Sequence, residues 1–241
     1  MFWSFPLKIQ SYTTKTDEWS HVEFQTKEEF TEYVQSQFKI PGQYNIVNAK
    51  SFQKEGLRYT NNVTKPNFEG GFYTKSVRGT HQWKTYWASE KDKVLKGVIV
   101  DDIYIPPFYY WYLNFCPIYD DVKKKKRLGD VWDGDLYFFH YIMLCFLKGK
   151  HACIFKTRQR GYSFKIMALM YWSYSWFEGS VNTIGAKLDD YVQKSWRFLE
   201  FYRKHINTYT AWKRGPIRPK SQEWYERTET RDGGYIGLDS K

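Results

Sequence analysis

The sequence predicts an α/β fold whose second half is a parallel sheet, and three observations carry that prediction. Short apolar runs alternate with long helical patterns after residue 135. A glycine turn ending in a hydroxyl residue, "KTRQRGYS" at 156–163, joins one such run to the next helix. The 241 residues are 21% aromatic, enough large side chains to build a core and too many for a disordered chain.

Taken in order, residues 1–98 are polar, with aromatics scattered among Thr, Lys and Gln. Within them "TKEEFTEYVQSQF" (26–38) spaces Phe30, Tyr33, Val34 and Phe38 along one helical face, and Thr26 with Glu29 predicts a capping box at its start. Pro41-Gly42 closes that helix. In "GVIVDDIYIPPFYYWYLNFCPIY" (97–119) β-branched and aromatic residues dominate. Asp101-Asp102 and Pro106-Pro107 cut it into two or three short antiparallel strands whose aromatics pack a core. "DDVKKKKRLGDVWDGD" (120–135) reads as a solvated charged connector. It is the boundary between an aromatic-rich α+β region at 1–119 and an α/β region at 120–241.

In the second region, 136–148 reads as an apolar helix capped by Asp133 or Asp135 and ended by Gly149. Residues 151–155 read as a short buried strand, 163–177 as a helix apolar on nearly every side, and 181–186 as a second strand. Residues 187–205 read as an amphipathic helix with the inner stripe Leu188, Tyr191/Val192, Phe198/Leu199, Tyr202 and Ile206, broken by Ser195. Strand, loop, helix, strand, helix in this order implies parallel strands with right-handed crossovers, and such sheets bind ligands at the carboxyl ends of their strands. In the tail, Asp232-Gly233-Gly234 reads as a hairpin turn.

The chain carries 37 Lys/Arg against 26 Asp/Glu, a net charge of +11. Residues 150–220 hold 14 of those cations against 4 carboxylates, so this window supplies +10 and favours a polyanion: nucleic acid, nucleotide or anionic lipid. Cys116, Cys145 and Cys153 are odd in number, far apart and set in apolar runs, the pattern of buried free thiols in a reducing compartment. The five histidines show no metal-ligand spacing, so no structural zinc is expected. "MFWSFPLKIQ" lacks the basic lead and apolar core of a secretory signal, and the most apolar helix, 164–177, is too short to span a bilayer. A soluble intracellular protein is expected, in which the sequon Asn62-Val63-Thr64 is a chance match.

The loop carries the candidate chemistry. Against the pattern GxxxxGK[ST], Gly161 is the second glycine and Ser163 the hydroxyl, while Tyr162 holds the lysine position and Lys156 that of the first glycine. Phosphate loops work because successive backbone N–H groups at a helix N-terminus converge on the anion, and the helix dipole adds to them. Gly161 permits close backbone approach, and Ser163 offers Mg²⁺ a hydroxyl. The lysine sets a flexible cation against the β and γ phosphates, which Lys156 can do from the head of the loop. Arg158 and Arg160 add two cations of the kind that stabilise transition-state charge.

"KTRQRGYS" resembles the Walker A segment of the large terminase subunits of tailed bacteriophages, the ATP-driven motors that package DNA into procapsids. That family often reads [ST]RQxGK[ST], which "TRQRGYS" matches except at Tyr162; other members place the lysine at the head of the loop and Gly-Tyr-Ser at its end. "YYWYLNFCPI" (109–118) also resembles the segment that precedes the ATPase core in large-genome phage terminases. The resemblance spans residues 97–206 in round terms. It implies a P-loop NTPase fold of the ASCE/RecA-like kind, with ATP and Mg²⁺ as cofactors. It implies that Lys156 replaces the Walker A lysine, that Arg158 acts as a sensor or finger, and that Ser163 ligates Mg²⁺. Thr157, Gln159, Arg160, Gly161 and Tyr162 would line the nucleotide beside them. The helix holding Tyr137, His140 and Tyr141 falls where the family places its adenine-binding segment, with His140 or Tyr141 as candidate and a plain core role as the other reading. The implied partners are double-stranded DNA, the portal protein and a small terminase subunit. The chain would work in a homo-oligomeric ring on the portal, away from any membrane, in the cytoplasm of an infected host cell.

No apolar run ending in paired acids follows the loop, so the Walker B carboxylates, the coupling motif and the nuclease cluster that would bind two metal ions are not among these residues. Asp189 and Asp190 read as helix-start caps. The expectation is therefore an incomplete sheet, the front of an ATPase truncated before Walker B, which binds nucleotide weakly and hydrolyses it poorly. Two other readings stand beside it: a helicase-like nucleic-acid-dependent ATPase, and a non-catalytic DNA- or capsid-binding module built on the aromatic region and the basic window.

Overall fold

The computed structural model describes residues 3–13, 15–37, 73–120, 124–129, 133–155, 161–178, 180–186, 189–212 and 234–239. Among them are six helices and eight strands, an α/β arrangement whose larger sheet is mixed. The chain divides into two compact units, Met1–Asn114 with Gly129–Lys156, and Phe115–Leu128 with Thr157–Lys241.

In the first unit β1 (Leu7–Thr13) pairs with β2 (Glu18–Phe24), and β3 (Val98–Val100) with β4 (Ile103–Ile105), both antiparallel. They share one sheet in the order β2-β1-β3-β4, and β1–β3 is the parallel pair among the described strands. Leu7 and Ile9 of β1 face the core while Lys8 between them is exposed, the period of a strand. The β3–β4 turn is Asp101-Asp102 alone, at φ 45° and 64°, as a type I′ hairpin requires.

α1 (Lys27–Ser36) starts as its sequence predicts. The Thr26 hydroxyl accepts from the Glu29 N–H at 3.1 Å, and the Glu29 carboxylate accepts from the Gln25 N–H at 2.6 Å. Its Phe30 is fully buried among Trp3, Phe24 and Tyr104, at centroid distances of 5.9, 5.1 and 5.4 Å. Phe38, Pro41 and Gly42 lie outside the described residues. α2 (His81–Lys96) is capped by Thr80, whose side chain accepts from Trp83 N–H, and leads through Gly97 into β3.

Residues 107–115 form a helix, α3 (Pro107–Phe115), where strands were expected. Pro107 takes the first helical position, where its missing N–H loses nothing, and the Pro106 carbonyl accepts from Tyr109 and Tyr110 at 2.9 Å. Every side chain from Phe108 to Phe115 is buried, so tertiary packing overrides the strand propensity of the aromatics. α4 (Asp133–Lys148) ends in Gly149 at φ 62°. There the Gly149 N–H reaches Phe146 O at 3.2 Å and the Lys150 N–H reaches Cys145 O at 2.8 Å, a Schellman ending.

The buried strand expected at 151–155 is absent. That stretch has no strand partner among the described residues; the Tyr141 hydroxyl accepts from Cys153 N–H at 3.2 Å and lies 3.5 Å from Cys153 O. Phe155 is 95% exposed. Cys153 is exposed with it, against the expectation of three buried thiols, while Cys116 and Cys145 are buried.

In the second unit, β5 (Ile118–Asp120) pairs antiparallel with β6 (Lys125–Arg127), so part of the expected solvated connector is a hairpin. Its register sets Ile118 opposite Arg127 and Asp120 opposite Lys125. α5 (Tyr162–Trp176) packs on α6 (Asp189–Tyr209): Phe164 lies 4.3 Å from Phe198, and the Tyr202 hydroxyl donates to Phe164 O at 3.0 Å. The stripe Val192, Leu199, Tyr202 and Ile206 is fully buried, with Ser195 at 8% exposure in its midst. Leu188 and the side chain of Tyr191 lie outside the described set.

β7 (Val181–Ala186) is the predicted second strand, yet it pairs antiparallel with β8 (Gly234–Asp239), Val181 opposite Asp239. The parallel sheet expected in this half is thus corrected: β7 finds its neighbour in a distant stretch of the tail, and no crossover joins the two. Gly234 opens β8, and Asp232 and Gly233 lie outside the described residues. Among the described residues no helix is long and apolar enough to cross a membrane.

Candidate phosphate site at the start of α5

Lys156, Thr157, Arg158, Gln159 and Arg160 lie outside the described residues. The structure describes the end of the loop and the helix it opens. Gly161 is the N-cap of α5 at φ 69°, in the left-handed region that disfavours any residue with a Cβ, and as a glycine it offers no side-chain cap of its own. Its carbonyl accepts from Phe164 N–H at 3.1 Å and from Lys165 N–H at 3.4 Å. The amides before them, at Tyr162 and Ser163, have no acceptor within the helix, and the dipole of a 15-residue helix adds to their pull on an anion. Ser163 is exposed and Tyr162 half-buried.

A further residue, which the sequence reading passed over, belongs to this group. Lys165 is 4% exposed, and its Nζ lies 4.5 Å from the centroid of the Tyr162 ring. It also stands 4.0 Å from where a Cβ on Gly161 would be. Helical side chains lean toward the N-terminus, so residue 165 reaches back over 161 and 162. A cation therefore stands at the head of α5 although Tyr162 occupies the expected lysine position. The signal was present in the sequence: a lone lysine in an apolar helix, three residues after Tyr162 and four after Gly161.

His140 and Tyr141 belong to the first unit. His140 is 1% exposed, its Nδ1 is 2.9 Å from Leu136 O, and its ring lies against Tyr104 at 6.1 Å. Burial pushes its pKa down to about 4, against the opposing pull of the Leu136 and Tyr104 backbone, so the ring is neutral at pH 7. The Tyr141 hydroxyl holds the Cys153 backbone, as described above. Both side chains thus have packing or hydrogen-bonding partners inside their own unit.

A left-handed glycine, the first amides of a helix and a nearby ammonium are groups that suit a phosphate. Among the described residues no group of three His, Cys, Asp or Glu is arranged to hold a metal ion. No protein-family model, curated protein or solved structure matches the chain.

Proposed function

We propose that this chain is the ATP-binding part of a viral DNA-packaging motor of the large-terminase kind, with a P-loop NTPase fold around residues 156–163. The observation that supports this best is Gly161, left-handed and heading α5 directly after the basic run "KTRQR". In this reading Lys156 and Arg158 set charge against the terminal phosphates, and Thr157, Gln159 and Arg160 line the nucleotide. The amides that follow Gly161 bind a phosphate, Ser163 holds Mg²⁺, and Lys165 reinforces the site from inside the helix. ATP, when bound, supplies the phosphoryl transfer that drives translocation; the residues named here bind and orient it. These 241 residues include no apolar run ending in paired acids after the loop, so binding with poor turnover is the proposal. Double-stranded DNA is the proposed polyanion, supported by the +10 balance of residues 150–220.

Titration of the full chain with a fluorescent ATP analogue in Mg²⁺ buffer tests the reading. Saturable binding is expected, weakened about tenfold or more by Lys156→Ala, the loss of one charge-assisted phosphate contact. Equal binding by Lys156→Ala would overturn it. DNA binding indifferent to ATP, to Mg²⁺ and to Lys156→Ala would point instead to a non-catalytic module.

A further inference from the structure

The outward face of α6 carries exposed Lys194, Arg197 and Lys204, three and seven residues apart and so on one side of the helix. Its opposite side is the buried stripe of Val192, Leu199, Tyr202 and Ile206. Between the cations sits Phe201, half-buried, with the Lys126 Nζ 4.6 Å from its ring centroid. Lys126 comes from β6. Four exposed cations from two elements distant in sequence, Lys194, Arg197 and Lys204 of α6 and Lys126 of β6, therefore share one surface of the second unit. The carboxylate at its border, Glu200, is engaged by the Arg203 guanidinium at 2.9 Å.

We propose that this surface binds the phosphate backbone of double-stranded DNA without regard to base sequence. From Lys194 to Lys204 the helix rises about 15 Å, a length of duplex that presents about nine phosphate charges. The side chains on offer are ammonium point charges and one guanidinium, both suited to phosphate oxygens. An anionic membrane fits less well: interfacial helices insert an apolar face, and that of α6 is already buried in its own core. The assignment rests on the packaging reading only for the identity of the duplex as DNA. It uses no residue of the phosphate loop, so either can fail alone.

The test is fluorescence anisotropy of the full chain, free of nucleotide, with labelled duplexes of about 20 bp in two unrelated sequences, at about 50 and about 200 mM salt. Both sequences should bind alike. Arg197→Glu with Lys204→Glu should weaken binding about tenfold or more at the lower salt, and Arg197→Gln with Lys204→Gln should lower the log–log salt slope by about 2. Arg197→Lys with Lys204→Arg should keep most of the affinity. Lys84→Glu with Lys91→Glu, an equal change of charge on exposed positions of α2, should shift it less than about twofold. Absence of binding by the unaltered chain, an equal loss in the α2 control, or unchanged binding by the α6 variants would overturn the proposal. Binding of phosphatidylserine vesicles in place of duplex would overturn it as well.

Discussion

Glu90 and Lys93 lie one turn apart on α2 and are only 1% and 6% exposed. The Glu90 carboxylate accepts from the Lys93 ammonium and from the Tyr110 hydroxyl, each at 2.7 Å, and the ammonium rests 4.5 Å from the Trp19 ring centroid. Lys93→Met should therefore strand a buried carboxylate and lower the unfolding free energy by about 3–5 kcal/mol. Adding Glu90→Gln should restore most of that loss in urea titrations; a double variant as unstable as the single one would contradict the pairing. Nearby, the Tyr86 hydroxyl is buried without a hydrogen-bond partner among the described residues. Tyr86→Phe should be neutral or stabilise by up to about 1 kcal/mol. His140 and His205 give the fold a pH dependence, since burial lowers both to about 4, helped at His205 by the charge of Lys126. Well above about pH 6.5 neither folded nor unfolded chain protonates them, and the effect is absent. As pH falls from there to about 4, the unfolded chain takes up protons that the folded chain refuses, so stability drops by up to about 3 kcal/mol per histidine. Thermal midpoints should fall between pH 7 and pH 4.5 in the parent and fall less in His205→Gln. A flat parent profile would contradict the burial of these rings.

Between elements, Gly97 is the position with least tolerance. It joins α2 to β3 at φ 82°, and a Cβ there would stand 2.5 Å from Ile105 O and 2.8 Å from the Tyr104 ring. Gly97→Ala should cost about 2–4 kcal/mol, combining left-handed strain with overpacking against backbone; a midpoint within error of the parent would contradict this. The elements that the sequence announced are those with local signals. Thr26 and Glu29 marked the start of α1, Gly149 the end of α4, and the apolar stripe laid out α6. Where the outcome depended on distant partners the sequence was silent or misleading. The aromatics of 107–115 have the composition of strands, and only complete burial makes them a helix. Residues 151–155 look like a strand, yet their backbone is tied to the Tyr141 hydroxyl, a contact that no periodicity encodes. β7 was legible as a strand, but its antiparallel partner at 234–239 was not. In the candidate site Gly161 was legible through its motif, whereas Lys165 needed the helix geometry that folds it back over Tyr162.

For the molecule as a whole, charge decides what it meets. Of a net charge of +11, residues 150–220 carry +10, and any polyanion the chain binds should leave more readily as salt rises. In the proposed function, nucleotide is held by the loop that Gly161 closes. Hydrogen exchange of the full chain, with and without Mg²⁺ and ATP, tests this peptide by peptide. Slowed exchange is expected in peptides spanning 156–165, with the effect lost in Lys156→Ala. Exchange in those peptides that ATP leaves unchanged, or protection confined to other segments, would contradict it.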